Sequence, residues 1–316
     1  MTYTIQILQK TGLSHRFCED RYQALLKNGR LLIICADGHG DEKYTRAGLG
    51  ARFACAAAAK VFADDSCVDP ISAVKDTYDN MVKKHLAHRP LFDYEEEKVK
   101  GIKLTEIYGA TLLVAVIGED YTEFYQVGDG EIYAIKKDGS LFEGLAQDKN
   151  CVGKFSTSLA LNRDSVLRCA RKARFEEPAA ACFMFTDGCE GALPLTLEKL
   201  LSNSAINIKD LNEIFEQTAT SDDQTFLIAY NGECLKNDEF CDNFQKTVNG
   251  VKQEIKNEKR RRANIDEFMR LKEYLKKAFE TAKEMKKNKN PDFAKYVTDL
   301  GPELDRYDEL KTLIAN

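Results

Sequence analysis

Residues 109–136 read GATLLVAVIGEDYTEFYQVGDGEIYAIK. Three segments in it, 109–117, 122–127 and 131–136, are rich in β-branched and aromatic residues and read as strands. GEDYT and GDG between them have turn composition, so the stretch predicts a meander of antiparallel strands. Outward from it, 31–36 (LLIICA) and 181–186 (ACFMFT) are short apolar runs that each stop at Asp-Gly, the pattern of a buried strand ending in a turn. Residues 3–9 alternate in polarity and 224–230 (QTFLIAY) are apolar; both read as strands. Two early helices are expected. One is the alanine-rich, proline-free 46–64; the other is 71–88, with Ile71, Val74, Tyr78, Met81 and Leu86 near helical spacing. Pro90 and the acidic 93–97 predict a loop, and 195–219 predict helix with a break near 203–207.

From about residue 236 the pattern is wholly helical. Phe240, Phe244, Val248, Val251 and Ile255 follow 4-4-3-4 spacing, and Ile265, Phe268, Leu271, Leu275, Phe279 and Ala282 continue the stripe. Pro291 and Gly301-Pro302 punctuate the end, so the expected organisation is a β-rich domain over 1–234 and an extension of two or three helices over 235–316. Such a stripe most often packs on its own domain; dimerisation and regulator binding are the other uses open to it. Lys259-Arg260-Arg261-Arg262 reads as a solvated face or as a contact for an anionic partner.

The composition narrows the function. Of 316 residues 43% are hydrophobic, normal for a packed globular chain. No apolar run reaches the ~18 residues of a membrane span, and MTYTIQILQK lacks the features of a secretory signal, so no membrane association is expected. The ten cysteines include no C-x-x-C pair and several sit in apolar runs, as Cys35 and Cys182 do; free thiols in a reducing, cytoplasmic compartment are the expectation. Residues 1–235 hold 27 basic and 35 acidic residues, a net −8, against 19 and 16 in 236–316. An acidic body argues against a nucleic-acid binder or nuclease.

The aspartates carry the chemistry. Asp37 and Asp187 end apolar runs and precede glycine; Asp129 lies in Val-Gly-Asp-Gly; Asp222 and Asp223 precede the strand 224–230; Glu19 and Asp20 follow the first strand. Taken singly, each also reads as ordinary turn chemistry. Taken together at strand ends they would converge in one cleft, where unpaired carboxylates repel unless hard divalent cations such as Mg²⁺ or Mn²⁺ hold them. Two such ions can polarise a phosphoryl group and activate water near neutral pH.

Six stretches, CEDRY (18–22), ADGHG (36–40), GATLLVAV (109–116), VGDGEIYAI (127–135), FTDGCEG (185–191) and SDDQTFLIAY (221–230), resemble in order and spacing the successive motifs of the protein phosphatase 2C-like (PPM-type) metal-dependent serine/threonine phosphatases. The resemblance covers about residues 1–232. It implies an α+β fold of two stacked antiparallel sheets flanked by helices, followed here by the helical extension. It further implies that Asp37 bridges two Mg²⁺ or Mn²⁺ ions, that the Gly38 carbonyl binds the first, that Asp187 and Asp222 bind the second, and that Glu19 holds metal-bound water. Asp129 with Asp187 resembles the place of a weaker third ion in some members, and His39 resembles the acid that protonates the leaving serine or threonine oxygen. The implied substrate is a phosphorylated protein, with a serine/threonine kinase as the opposing partner.

Departures exist. Where the family usually has a phosphate-gripping arginine this chain has His15, with Arg16 next to it; Asp223 stands where asparagine is frequent, and Glu190 where an aromatic is common. A loop shift could bring Arg16 to the phosphate, and Asp223 would then stand behind the ligands rather than among them. His39 also reads as an exposed turn residue, and His85 and His88 as surface residues on a charged helix end. Two functions follow: an active phosphatase, or a catalytically weak member that binds a kinase or phosphoprotein.

Overall fold

The structure is a computed structural model describing residues 2–142, 145, 157–189, 191–218 and 220–315, with side chains described for all of these except 255, 258, 259, 262, 314 and 315. The chain divides into two compact units, 1–248 and 249–316.

Among the described residues of the first unit, ten strands form two antiparallel sheets: β1 (Thr4–Lys10), β2 (Arg21–Lys27), β3 (Arg30–Ala36), β4 (Leu112–Ile117), β5 (Thr122–Val127), β6 (Glu131–Ile135), β7 (Leu141–Phe142), β8 (Arg171–Phe175), β9 (Ala181–Phe185) and β10 (Gln224–Tyr230). One sheet has the order β1-β10-β9-β6-β7, the other β2-β3-β4-β5-β8. The helices are α1 (Ala47–Phe62), α2 (Pro70–His88), α3 (Asp93–Lys98), α4 (Arg163–Cys169), α5 (Ala192–Asn203), α6 (Ile208–Gln217), α7 (Asp238–Lys287), α8 (Phe293–Asp299) and α9 (Gly301–Ala315).

The continuous apolar runs are explained by burial on both faces. Successive strand side chains point to opposite sides. Leu32, Ile34, Leu112, Val114 and Val116 pack with α1 and α2 residues such as Ala54, Ala58, Val74 and Tyr78. Leu31, Ile33, Cys35, Leu113, Ala115 and Ile117 pack between the sheets with Cys182, Met184, Leu227 and Ala229. On the far side Phe226 meets Phe215 of α6 edge-on, ring centroids 5.9 Å apart. The result is the expected arrangement of two stacked sheets flanked by helices.

Three differences from the sequence reading have local causes. β6 does not continue the β4–β5 meander; it pairs with β9 in the other sheet. The positive φ of Gly128 (90°) and Gly130 (83°) turns the chain from one sheet to the other. Residues 93–98 are helical rather than loop, because the Glu95 carboxylate accepts from the Phe92 N–H at 3.0 Å and from Arg46 Nε and Nη2 at 2.8 Å each. His85 is half-buried, its Nδ1 2.7 Å from the Tyr108 hydroxyl and its ring edge-on to Phe53, so only His88 lies on the surface.

Strands end by 234/235, but the compact first unit runs on to Val248, through α7 residues with the buried side chains Phe240, Phe244 and Val248. Asn243 Nδ2 and Thr247 Oγ1 of this segment donate to the carbonyls of Asp138 and Gly139. In the second unit Leu275, Ala278 and Ala282 are buried while Phe279 is exposed, so the stripe runs through Ala278 instead. Phe268 stacks on Tyr307 at 4.7 Å, and Arg306 bonds both oxygens of Glu267. Arg260 and Arg261 are exposed; the side chains of Lys259, Arg262 and Ile255 lie outside the described set.

No described helix is long and apolar enough to cross a membrane. Nine cysteines among the described residues are all free thiols.

Candidate metal centre

Strand register brings the carboxylates together. Arg21 pairs with Ala36 at the start of β2 and the end of β3, so the next positions outward, Asp20 and Asp37, face each other. Cys35 pairs with Leu113, and one step further Asp37 N–H donates to Thr111 Oγ1 (3.0 Å) while Thr111 N–H donates to the Asp37 carbonyl (2.9 Å). In the other sheet Glu131 pairs with Phe185, which sets Asp129 opposite Asp187 just beyond the strand ends. Gln126 fixes the Asp129 turn from below: its Nε2 donates to the Gly130 carbonyl at 2.7 Å.

The electrostatics follow from this crowding. Asp37 is set deep in the cleft yet retains some exposure. Burial, then the negative charges of Asp20, Asp187 and Asp129, push its carboxyl well above the usual range. Burial pushes Asp20 up to about 6 even though Thr186 Oγ1 donates to its Oδ2 at 2.9 Å. Burial followed by Asp129, Asp222 and Asp20 pushes Asp187 up to about 7. One oxygen, Asp20 Oδ1, is buried with no hydrogen-bond partner.

These residues fit hard divalent cations. The donors are all oxygen, among the described residues no lysine or arginine forms an ion pair with Asp20, Asp37 or Asp187, and one acceptor stands unsatisfied. Among the described residues no group of three or more His, Cys, Asp or Glu side chains stands close enough together to hold a metal ion by itself. Mg²⁺-type ions need none, since they keep several waters and take one or two carboxylates.

The other expected residues fall around this cluster. Glu19 is half-buried, and the carboxyl that lies against Asp37 is that of its neighbour Asp20. Asp222 is about half exposed and close enough to Asp187 to raise it. Gly38 forms a bridge with Ala110, deep beside α1. His39 donates its N–H to the Gly109 carbonyl (3.1 Å), and its ring lies 4.9 Å from that of Tyr44. A Cβ on Gly109 would come within 2.5 Å of His39 Cδ2, so this seat for the imidazole requires glycine. Burial lowers the His39 pKa, against the pull of Asp129. Arg16 is exposed and makes no ion pair or hydrogen bond among the described residues. Glu190 lies outside them.

Asp223 has a different task. It is buried, its Oδ1 accepts from Gly12 N–H (2.8 Å), its Oδ2 accepts from Glu19 N–H (2.6 Å), and His15 Nδ1 lies 3.0 Å from Oδ2. It therefore straps the whole 12–19 loop to the start of β10. The Asp223 carboxylate against its ring raises the His15 pKa. The sequence marks Asp20 only as one of the strand-end carboxylates, with no role of its own, and does not mark Thr186 or Thr111. The pairing of Arg21 with Ala36 is what reveals Asp20, and no local motif marks the two threonines.

A protein phosphatase 2C family model matches residues 12–228, and the chain belongs to that family. No curated protein sequence matches the chain. Among solved structures, serine/threonine phosphatase Stp1 from Staphylococcus aureus is similar with a TM-score of 0.52 at 14% identity, over 73% of this chain and 96% of that one. The Mycobacterium tuberculosis serine/threonine phosphatase PstP/Ppp is similar with a TM-score of 0.51 at 16% identity, over 73% and 99%. The catalytic domain of PstP in complex with two manganese ions is similar with a TM-score of 0.50 at 15% identity, over 72% and 97%. At such identities these likenesses show the shared fold.

Proposed function

We propose that the chain is a metal-dependent protein phosphatase that hydrolyses phosphoserine and phosphothreonine monoesters. The observation that carries this reading is the crowding of Asp20, Asp37 and Asp187, none paired with a lysine or arginine among the described residues, beside Asp129 at the cleft end of both sheets, in a chain of this family. Asp37, the Gly38 carbonyl, Asp187 and Asp222 would hold two Mg²⁺ or Mn²⁺ ions, with a weaker third beside Asp129; bound, the ions supply charge neutralisation and an activated water. Asp20, held by Thr186, orients Asp37, and Glu19 takes up a water of the site. Arg16 is the uncommitted cation on the 12–19 loop and grips phosphate. Water oxygen bonds to phosphorus, the P–O bond to the side chain breaks, and His39 delivers the proton that turns the leaving alkoxide into an alcohol. A serine/threonine kinase makes the substrate. Free cysteines suit a reducing compartment, and we place the protein in the cytoplasm. The catalytic domain is 1–234, with 235–316 as its helical extension.

A second reading, a catalytically weak member that binds a kinase or phosphoprotein, draws on His15: it occupies the usual arginine place and lies against the Asp223 carboxylate. Turnover of para-nitrophenyl phosphate with Mn²⁺, with Mg²⁺ and with EDTA separates the two. Metal-dependent hydrolysis abolished by EDTA is expected. A folded protein with no turnover under any metal would overturn the enzymatic reading and favour the regulatory one.

A further inference from the structure

Beside the metal centre, between the 12–20 loop and the first half of α1, lies a cavity of about 420 Å³ lined by Phe17, Glu19, Arg21, Arg46, Leu49 and Arg52. It contains three arginines in a body of net charge −8, and their commitments differ. Arg46 is spent: Nε and Nη2 bond Glu95, Nη1 bonds the Tyr108 hydroxyl and the Arg89 carbonyl, and Nη2 also bonds the Pro90 carbonyl. Arg21 uses only Nη1, on the carbonyls of Cys18 and Asp20; its Nε and Nη2 have no partner among the described residues. Arg52 is exposed and unpaired among the described residues. Phe17, 63% exposed, and Leu49 give the cavity apolar walls.

The cavity adjoins the centre. A Cβ on Gly38 would lie 3.1 Å from Glu19 Cβ and 2.9 Å from the Ala47 carbonyl carbon, so both Glu19 and the start of α1 touch the glycine that precedes His39. From Ala47 to Arg52 the helix rises roughly 7.5 Å, which an extended peptide spans in about two residues.

Resting on the phosphatase reading, we infer that this cavity is a subsite for a second anionic side chain, carboxylate or phosphate, carried by the substrate about two or three residues from the phosphorylated one. Arg52 and the free edge of Arg21 offer the planar donors that pair with such a group, and Phe17 and Leu49 cover its stem. The surrounding acidic surface would repel the same peptide, so the two arginines determine whether an acidic substrate is accepted.

The test uses the full chain with Mn²⁺. Phosphothreonine peptides carry alanine, aspartate or phosphotyrosine at two or three positions on either side, and loss of the threonine phosphate is followed by mass spectrometry. Wild type should favour the aspartate and phosphotyrosine peptides about three- to fivefold, through KM, at one or more positions, the size of one exposed ion pair. Arg52→Ala should remove the preference and Arg52→Glu reverse it, with para-nitrophenyl phosphate turnover unchanged in both. Preference for aspartate and phosphotyrosine alike identifies a general anion site; preference for phosphotyrosine alone identifies a phosphate site. No preference in wild type, or the same preference in Arg52→Glu, would overturn the inference. If para-nitrophenyl phosphate is not hydrolysed, the phosphatase reading fails separately. Fluorescence anisotropy of the same labelled peptides then reads the subsite: tighter binding of anionic peptides lost in Arg52→Glu supports it, and equal binding overturns it.

Discussion

Replacing Asp223 with alanine removes one buried carboxylate, strands the Gly12 N–H and the Glu19 N–H, and takes away the charge beside His15 Nδ1. A buried donor left without a partner costs roughly 1–3 kcal/mol. Gly12 is buried and Glu19 half-buried, so the two backbone groups together put the loss at about 2–4 kcal/mol, with His15 free to turn to solvent. For a body of this size that corresponds to a fall in melting temperature of about 5–12 °C. Asp223→Asn, which keeps one acceptor oxygen, should fall between alanine and wild type. Because the strapped loop carries Arg16 and Glu19, the alanine variant should also raise KM for a phosphopeptide more than it lowers kcat. Thermal melts with urea titrations, beside His15→Ala and the double variant, measure this; the cycle should give a coupling of about 0.5–1.5 kcal/mol. A shift below 1 °C in Asp223→Ala with KM unchanged would refute the strap.

Other expectations follow from the same contacts. Asp20 and Asp187 are raised above their unfolded range, so the metal-free protein binds more protons folded than unfolded and loses stability as pH rises from about 4 to 7. Asp20→Asn should therefore stabilise the metal-free protein at pH 7.5 by about 2 kcal/mol while abolishing the rise in melting temperature produced by Mn²⁺, both read by calorimetry with and without EDTA. Glu95 shows the opposite sign: the Arg46 hydrogen bond holds it below the usual range, so its contribution is present above that range and disappears as pH falls through the folded value. The stability gap between wild type and Glu95→Gln, measured in urea, should narrow from pH 6 to pH 3. His39→Gln should cut kcat about 10²- to 10⁴-fold on a phosphothreonine peptide, whose alkoxide needs a proton, and far less on para-nitrophenyl phosphate.

Much of this molecule is legible along the chain because its central strands are buried on both faces. LLIICA, ACFMFT and TLLVAVI stand out as apolar runs, and the Asp-Gly ends that follow mark the cleft. The edge strands β2 (RYQALLK) and β8 (RKARF) carry the charges that keep a sheet edge soluble, and so lack a strand signature. The crossing of β6 to the second sheet turns on two positive-φ glycines, which sequence marks only as a turn. At the site, aspartates at strand ends were readable singly. Which of Glu19 and Asp20 faces Asp37 was not, because that depends on the register of Arg21 against Ala36 across the hairpin. The role of Asp223 likewise rests on a loop more than two hundred residues earlier in sequence.

In the proposed function Asp37 and Asp187 hold the metals on which phosphatase activity depends. Phosphate release from a phosphothreonine peptide in Mn²⁺, by wild type, Asp37→Asn and Asp187→Asn, tests it most directly. Turnover by wild type and a loss of at least a hundredfold in each variant, about 2.7 kcal/mol of barrier, are expected, with the fold intact by melting temperature. Equal turnover in wild type and both variants would contradict it.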